Sequence, residues 1–214
     1  MKKSIHRFTL VEMLTVIGII IILAGIIIPT VAIAKARGQQ SRAEGDISAI
    51  MAAMKNMAAD YNGNLLDKDG SNYKIGGQSA TVASDVATLT GDAYDAMIVE
   101  LSAPKNKNGS SLVTVSVNRR RKTYLDPTGD FDPSQAYTAQ RDTLYRDPWG
   151  NPYIILIKVT KDNELKINNN KTIVGNFAVY SKGPDGVDNG GCNEDHPICG
   201  SDDCGHDDIA SWNF

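Results

Sequence analysis

Arg7-Phe8-Thr9-Leu10-Val11-Glu12, followed by an uncharged run from Met13 to Ala34, decides the fold of this chain. The run holds 22 residues and isoleucine dominates it. As a helix rising ~1.5 Å per residue it reaches roughly 33 Å, enough to cross the hydrocarbon core of a bilayer. A surface helix of a soluble domain carries a polar face, and this run carries none. Lys2, Lys3 and Arg7 precede it and favour a cytoplasmic N-terminus, while Lys35, Arg37 and Arg42 follow it and weaken that bias. A cleaved secretory signal opens in the same way, but its apolar stretch spans only about 7–15 residues. No small-x-small site breaks this run at its end. The expectation is a retained single-pass anchor.

Two residues sit where a plain anchor would not want them. Glu12 stands at the head of the run, and a carboxylate at membrane depth costs about 2.5 kcal/mol or more, so it needs a partner. Pro29 removes one backbone hydrogen bond inside the run and crowds the carbonyl of Gly25, a point where a helix bends or melts.

Beyond the run, Ile47, Ile50, Met51, Met54, Met57, Ala58 and Tyr61 recur at steps of three and four. That spacing predicts one apolar stripe on a continuing helix, ended by Asn62-Gly63-Asn64. From Leu65 to Tyr94 the chain is rich in Gly, Ser, Thr and Asp without a period, and reads as a loop. A short helix is expected over Tyr94–Leu101, stopped by Pro104. A strand is expected over Leu112–Val117, where apolar and polar residues alternate. Further strands are expected at Ile154–Val159, Glu164–Ile167 and Gly175–Tyr180, forming an antiparallel meander packed on the helix. Arg119-Arg120-Arg121-Lys122 is the one dense basic run and reads as a solvated turn. With a net charge of −3 over 214 residues, nothing points to nucleic acid.

The C-terminal stretch has its own chemistry. From Asp185 to Asp208 there are eight acidic residues and no lysine or arginine. Packed together these carboxylates repel one another, and a hard divalent cation such as calcium relieves that repulsion. The alternative is a disordered acidic tip, against which Ile209, Trp212 and Phe214 argue for a tethered end. Cys192, Cys199 and Cys204, with His196 and His206 among them, all fall in the same stretch. In an oxidising compartment one disulfide with one cysteine left over is the plainest outcome; a zinc site and reduced thiols are the alternatives. No nucleophile–base pairing and no His-Glu-x-x-His pattern supports catalysis, so an anchored zinc hydrolase is a poor reading and no enzyme is expected.

Arg7 to Leu14, the isoleucine-rich run and Pro29 together resemble the class III signal of type IV pilins and of type II secretion pseudopilins. The resemblance implies cleavage by a prepilin peptidase between Arg7 and Phe8, followed by N-methylation of Phe8. It implies that Glu12 pairs with the Phe8 amine of a neighbouring subunit during assembly, and that Pro29 is the helix-breaking proline. The chain departs from the pattern at Arg7, where the family carries glycine. Asp147-Pro148-Trp149-Gly150-Asn151-Pro152-Tyr153 is similar to the major, G-type pseudopilin, and Arg119–Phe131 more weakly so. Ser181-Lys182-Gly183-Pro184-Asp185-Gly186, with Asp208-Ile209-Ala210-Ser211-Trp212, is similar to that family's calcium loop. The implied ligands are the carboxylates of Asp185 and Asp208 and the carbonyl of Lys182, with Asp188 the next candidate.

These readings give an α+β, pilin-like chain: a long N-terminal helix packed on a small antiparallel sheet, with a C-terminal calcium-type loop. The expected organisation is a leader over 1–7, a transmembrane and assembly helix over 8–34, and its amphipathic continuation over 35–64. A variable loop region with a short helix and strand follows over 65–146, and the sheet and acidic loop over 147–214. The implied function is that of a structural subunit of a type II secretion pseudopilus. The alternative is a surface pilin for adhesion, motility or DNA uptake. The implied partners are further copies of the chain, minor pseudopilins, the inner-membrane assembly platform, the prepilin peptidase and the membrane. The implied location is the inner membrane, with the C-terminal domain in the periplasm and the polymer a periplasmic or surface filament.

Overall fold

The computed structural model describes residues 9–63, 65–83, 85–102, 116–127, 145–160, 164–167, 171–186 and 209–211. Helix α1 runs unbroken from Leu10 to Asp60. Contacts divide the chain into two units, residues 1–39 and 40–214.

In the first unit the described large apolar side chains between Leu10 and Ile33 are 48% to 80% exposed. No protein surface covers them, and α1 is long and apolar enough to cross a membrane. The helix continues through position 29, so the proline does not break it. One lost backbone bond in a helix of 51 residues is a local cost, which neighbouring turns absorb. Thr30 follows directly, and its hydroxyl donates back to the carbonyls of Ile27 and Ile26.

In the second unit the expected stripe is present. Ile47, Ile50, Met54, Met57 and Ala58 are buried, and Met51 and Tyr61 pack on the same cluster. Asn62 and Gly63 take φ of 54° and 81°, and the Gly63 N–H closes on the Ala58 carbonyl at 2.7 Å. That is the left-handed stop expected of an Asn-Gly pair.

Residues 65–94 are not a loop. They contain β1 (Asp67–Asp69), β2 (Asn72–Ile75), β3 (Gln78–Ser79), β4 (Thr81–Ala83) and β5 (Val86–Leu89). None exceeds four residues, too short for alternation to register, and the residues between β1 and β2 and between β2 and β3 are hairpin turns. Gly76 and Gly77, at φ of 55° and 81°, join β2 to β3 in the two-residue geometry that twisted strands favour. Helix α2 (Asp92–Ser102) follows, close to the expected span.

The later strands are β6 (Ile154–Lys158), β7 (Glu164–Ile167), β8 (Lys171–Val174), β9 (Phe177–Ser181) and β10 (Ile209–Ala210). They do not form a simple meander. β6 pairs directly with β9, while β7 pairs with β8 in a separate hairpin. The main antiparallel sheet has the order β10-β9-β6-β5-β4 among the described residues. Alternation along β6 explains its central place. Ile155 and Ile157 face the α1–α2 core, whereas Ile154 and Leu156 join a second cluster with Tyr180 and with Leu165 of the hairpin. A strand buried on both sides reads as a continuous apolar run, as this one does.

The expected strand at Leu112–Val117 is not present in its described part. Ser116 and Val117 are bent, because their N–H groups donate to the Glu100 carboxylate and are lost to any ladder; residues 112–115 lie outside the described residues. Met54→Ala, which opens a cavity where stripe and sheet meet, is expected to lower the unfolding free energy by about 2–5 kcal/mol. Denaturant titration of the full chain in detergent measures it.

Candidate functional site

The head of α1 is closed by its own residues. The Thr9 N–H and hydroxyl both donate to Glu12 Oε2 at 2.8 Å, and the Glu12 N–H donates to Thr9 Oγ1 at 3.3 Å. This is a capping box, in which an N-cap threonine and an acid three residues later satisfy each other's exposed groups. Glu12 therefore has a partner within its own chain. The Thr-x-x-Glu spacing is a readable signature that the sequence reading passed over. Arg7 and Phe8 lie outside the described residues, as does the Pro29 side chain.

The second group of site residues gathers at one end of the main sheet. Asp46 is the one charged residue buried along the α1 stripe. It accepts the Tyr145 hydroxyl at 2.7 Å and the Tyr153 hydroxyl at 3.0 Å, with the Arg42 guanidinium at 3.9 Å. Burial, and then the Asp46 charge, push the Tyr153 hydroxyl well above its ordinary pKa, so it stays a donor. Tyr145 is held in turn by Tyr94, whose hydroxyl donates to its carbonyl at 2.7 Å. Arg146 lies 3.6 Å from the buried Asp95 and over the Tyr94 ring.

Between the two tyrosines lies the turn from Asp147 to Asn151. Asp147 Oδ1 accepts the N–H groups of Trp149 and Asn151 at 3.1 and 2.7 Å, and Gly150 takes a φ of 93°. Asp147 Oδ2 accepts the Ser181 hydroxyl at 2.6 Å, and the Asn151 amide donates to the Gly183 carbonyl at 3.0 Å. The turn is thus bound to the loop Ser181–Gly186. At Gly186, with φ +68°, an added Cβ would meet Asn151 Oδ1 at 3.0 Å. The two segments are thus in direct contact.

Within that loop Lys182 is half-buried and Asp185 is exposed. Ile209 of β10 pairs with Ser181, and the Ser211 N–H reaches the Val179 carbonyl at 2.9 Å, so the C-terminal segment is tethered beside the loop. Asp188, Asp208, Cys192, Cys199 and Cys204 lie outside the described residues. Among the described residues no three His, Cys, Asp or Glu side chains converge.

A third cluster surrounds the basic turn. Glu100, buried on α2, accepts N–H groups from Ser116, Val117 at 3.1 Å and Asn118 at 2.8 Å. The Asn118 amide donates to the carbonyls of Glu100 and Lys122, and its oxygen accepts the Lys122 N–H and the Tyr61 hydroxyl. The Arg120 N–H donates to Tyr61 Oη at 3.0 Å, and Arg121 takes a φ of 51°. Asp60 accepts from the Lys122 ammonium and the Tyr124 hydroxyl, both at 2.7 Å. The sequence offered no sign of this network, whose partners lie 57 to 64 positions from the helix end.

The Lys122 hydrogen bond, and then that of Tyr124, hold the Asp60 carboxyl below the usual carboxylate range. A carboxyl depressed in the folded state contributes stability above its unfolded pKa, about 3.9, and loses it as pH falls through the folded value. Lys122→Met is expected to move the Asp60 titration up towards that ordinary value and to reduce this pH dependence, with the Tyr124 bond keeping part of it, as followed by NMR titration of the carboxyl carbon. Compared with protein-family models, curated proteins and solved structures, the chain matches none.

Proposed function

We propose that this protein is a structural, non-catalytic subunit that polymerises through α1 in the manner of a type II secretion pseudopilin. The observation that carries the reading is a single continuous helix with two halves. One half is uncharged, uncovered and headed by a capped carboxylate; the other is seated by a stripe on a folded domain. An enzyme has no need of such a helix beyond anchorage. A polymer does, because uncovered apolar surface without a polar face can be buried by lipid or by equivalent helices of other copies.

In this reading a prepilin peptidase cuts after Arg7 and frees the Phe8 amine. Thr9 directs both its donors to Glu12 Oε2, so Oε1 is left to receive the ammonium of an adjacent copy. Pairing neutralises two charges that are costly in hydrocarbon. Minor pseudopilins and an inner-membrane platform are the partners that such assembly calls for, with the folded domain in the periplasm. Glu12→Ala is expected to leave membrane insertion intact and to abolish filaments. Normal filaments from that variant, seen by electron microscopy of sheared cells, would overturn the reading. The mass of the native N-terminal peptide reports cleavage and methylation together.

Calcium is proposed for the C-terminal loop, held by the Asp185 carboxylate and the Lys182 carbonyl with oxygens from the acidic segment. When bound it would neutralise the repulsion among those acids. A ligand at a hundredfold its Kd adds about 2.7 kcal/mol. Chelation is therefore expected to lower the melting temperature by about 5–10 °C. An unchanged transition after chelation and calcium readdition removes the ion from the account.

A further inference from the structure

The far end of the apolar run is basic, and nothing on the helix compensates it. Lys35 and Arg37 follow Ala34 within one turn, and both are exposed. No aspartate or glutamate occurs from Met13 to Ala43. Every position three or four away from either residue, where a helical ion pair forms, is uncharged. The next cation, Arg42, belongs to the second unit and faces the Asp46 carboxylate at 3.9 Å.

Depth and direction identify what Lys35 and Arg37 meet. The 22 uncharged residues before them span roughly 33 Å as a helix, against a hydrocarbon core of about 30 Å, so the run ends at the edge of the hydrocarbon. The headgroup layer adds about 5–7 Å on each side of that core. Arg37, three residues past Ala34, rises about 4.5 Å and stays inside the layer. Arg42, eight residues past it, rises about 12 Å and lies beyond. Two positions along a helix turn it by ~200°, so Lys35 and Arg37 leave opposite sides of α1. A protein partner meets one side of a helix, whereas a lipid layer surrounds it. Long aliphatic stems let both charged heads settle at phosphate level.

We infer that Lys35 and Arg37 bind the phosphates of anionic phospholipids where α1 leaves the bilayer. This rests on the membrane placement of α1 in the reading above. An anionic headgroup layer supplies the counter-charge that the helix itself lacks, and salt screens the attraction. In the assembly reading, removal of the leader takes Lys2, Lys3 and Arg7 away. Lys35 and Arg37 are then the cations that set the height of the subunit in the membrane. A chain passing from bilayer to polymer gives up both contacts, which ties its release to the anionic lipid content of the membrane.

The test places the full-length chain in phosphatidylcholine bilayers carrying spin-labelled phosphatidylcholine or spin-labelled phosphatidylglycerol. Every chain also carries Lys2→Gln, Lys3→Gln and Arg7→Gln, so that the opposite flank holds no lysine or arginine. Motional restriction of the neutral label reports the apolar helix in the bilayer, and excess restriction of the anionic label reports the charge contact. The expected result is a preference for phosphatidylglycerol at low salt that falls about fivefold when Lys35→Gln and Arg37→Gln are combined. The preference survives the exchange Lys35→Arg with Arg37→Lys and weakens at high salt. Equal restriction of the two labels overturns the contact and leaves the membrane placement standing; polyglutamate bound through the same two residues then points to an acidic protein instead. A preference that persists in the double glutamine variant places the charge elsewhere and also overturns the contact. Restriction of neither label overturns the membrane placement and the contact together.

Discussion

A single buried carboxylate fixes how the sheet meets the helix. Asp46 lies within the apolar stripe of α1, and its two oxygens are taken by hydroxyls from residues 99 and 107 positions away. Leaving one such acceptor unmet costs about 1–3 kcal/mol, more for a charged group, so the two tyrosines are strongly held. Tyr153 immediately precedes β6, which lies at the centre of the sheet. Holding it sets the height of β6 along the helix, and the β6–β9 register then sets Ser181 and the loop after it. The Asp147 turn, bracketed by the same two tyrosines, has no other place to lie than against that loop. The geometry of the C-terminal loop thus descends from one aspartate in the helix.

Apolar packing and polar fixing divide the labour. Ile47, Ile50, Met54 and Met57 supply burial, which is non-directional and would tolerate a helix slid by a turn. The Asp46 pair at one end and the Asp60–Tyr61 contacts at the other are directional, and they exclude such slippage. Glu100 does the same for the segment from Ser116 to Lys122, holding it through main-chain N–H groups and so without regard to side-chain identity.

What the sequence made legible follows from range. The long apolar helix, its stripe, its Asn-Gly stop, α2 and the apolar strands are encoded by neighbours three, four or two positions apart. The strands between Leu65 and Tyr94 escaped because each holds two to four residues, too few for a period. The Gly76-Gly77 pair was the available clue, since adjacent glycines between short β-formers mark a tight hairpin. The Thr9–Glu12 capping box was likewise written locally, and its meaning was obscured by the uncharged run that follows Glu12. Asp46, Glu100 and Asn118 carried no local sign at all. A buried acid on a stripe is indistinguishable from a surface acid until the groups that meet it are placed.

The sheet's outer strands bear on a different matter, the exposure of the fold to cross-β growth. Among the described residues the five-stranded sheet is bounded by β4, of three residues, and β10, of two. Exposed backbone on a long flat edge templates cross-β growth, and natural sheets blunt such edges by shortening them. Here a neighbouring chain finds too little free ladder to extend. Among the described residues the exposed large apolar side chains lie almost all on a helix whose backbone bonds are already satisfied within itself, with Val82 and Val174 the two exceptions.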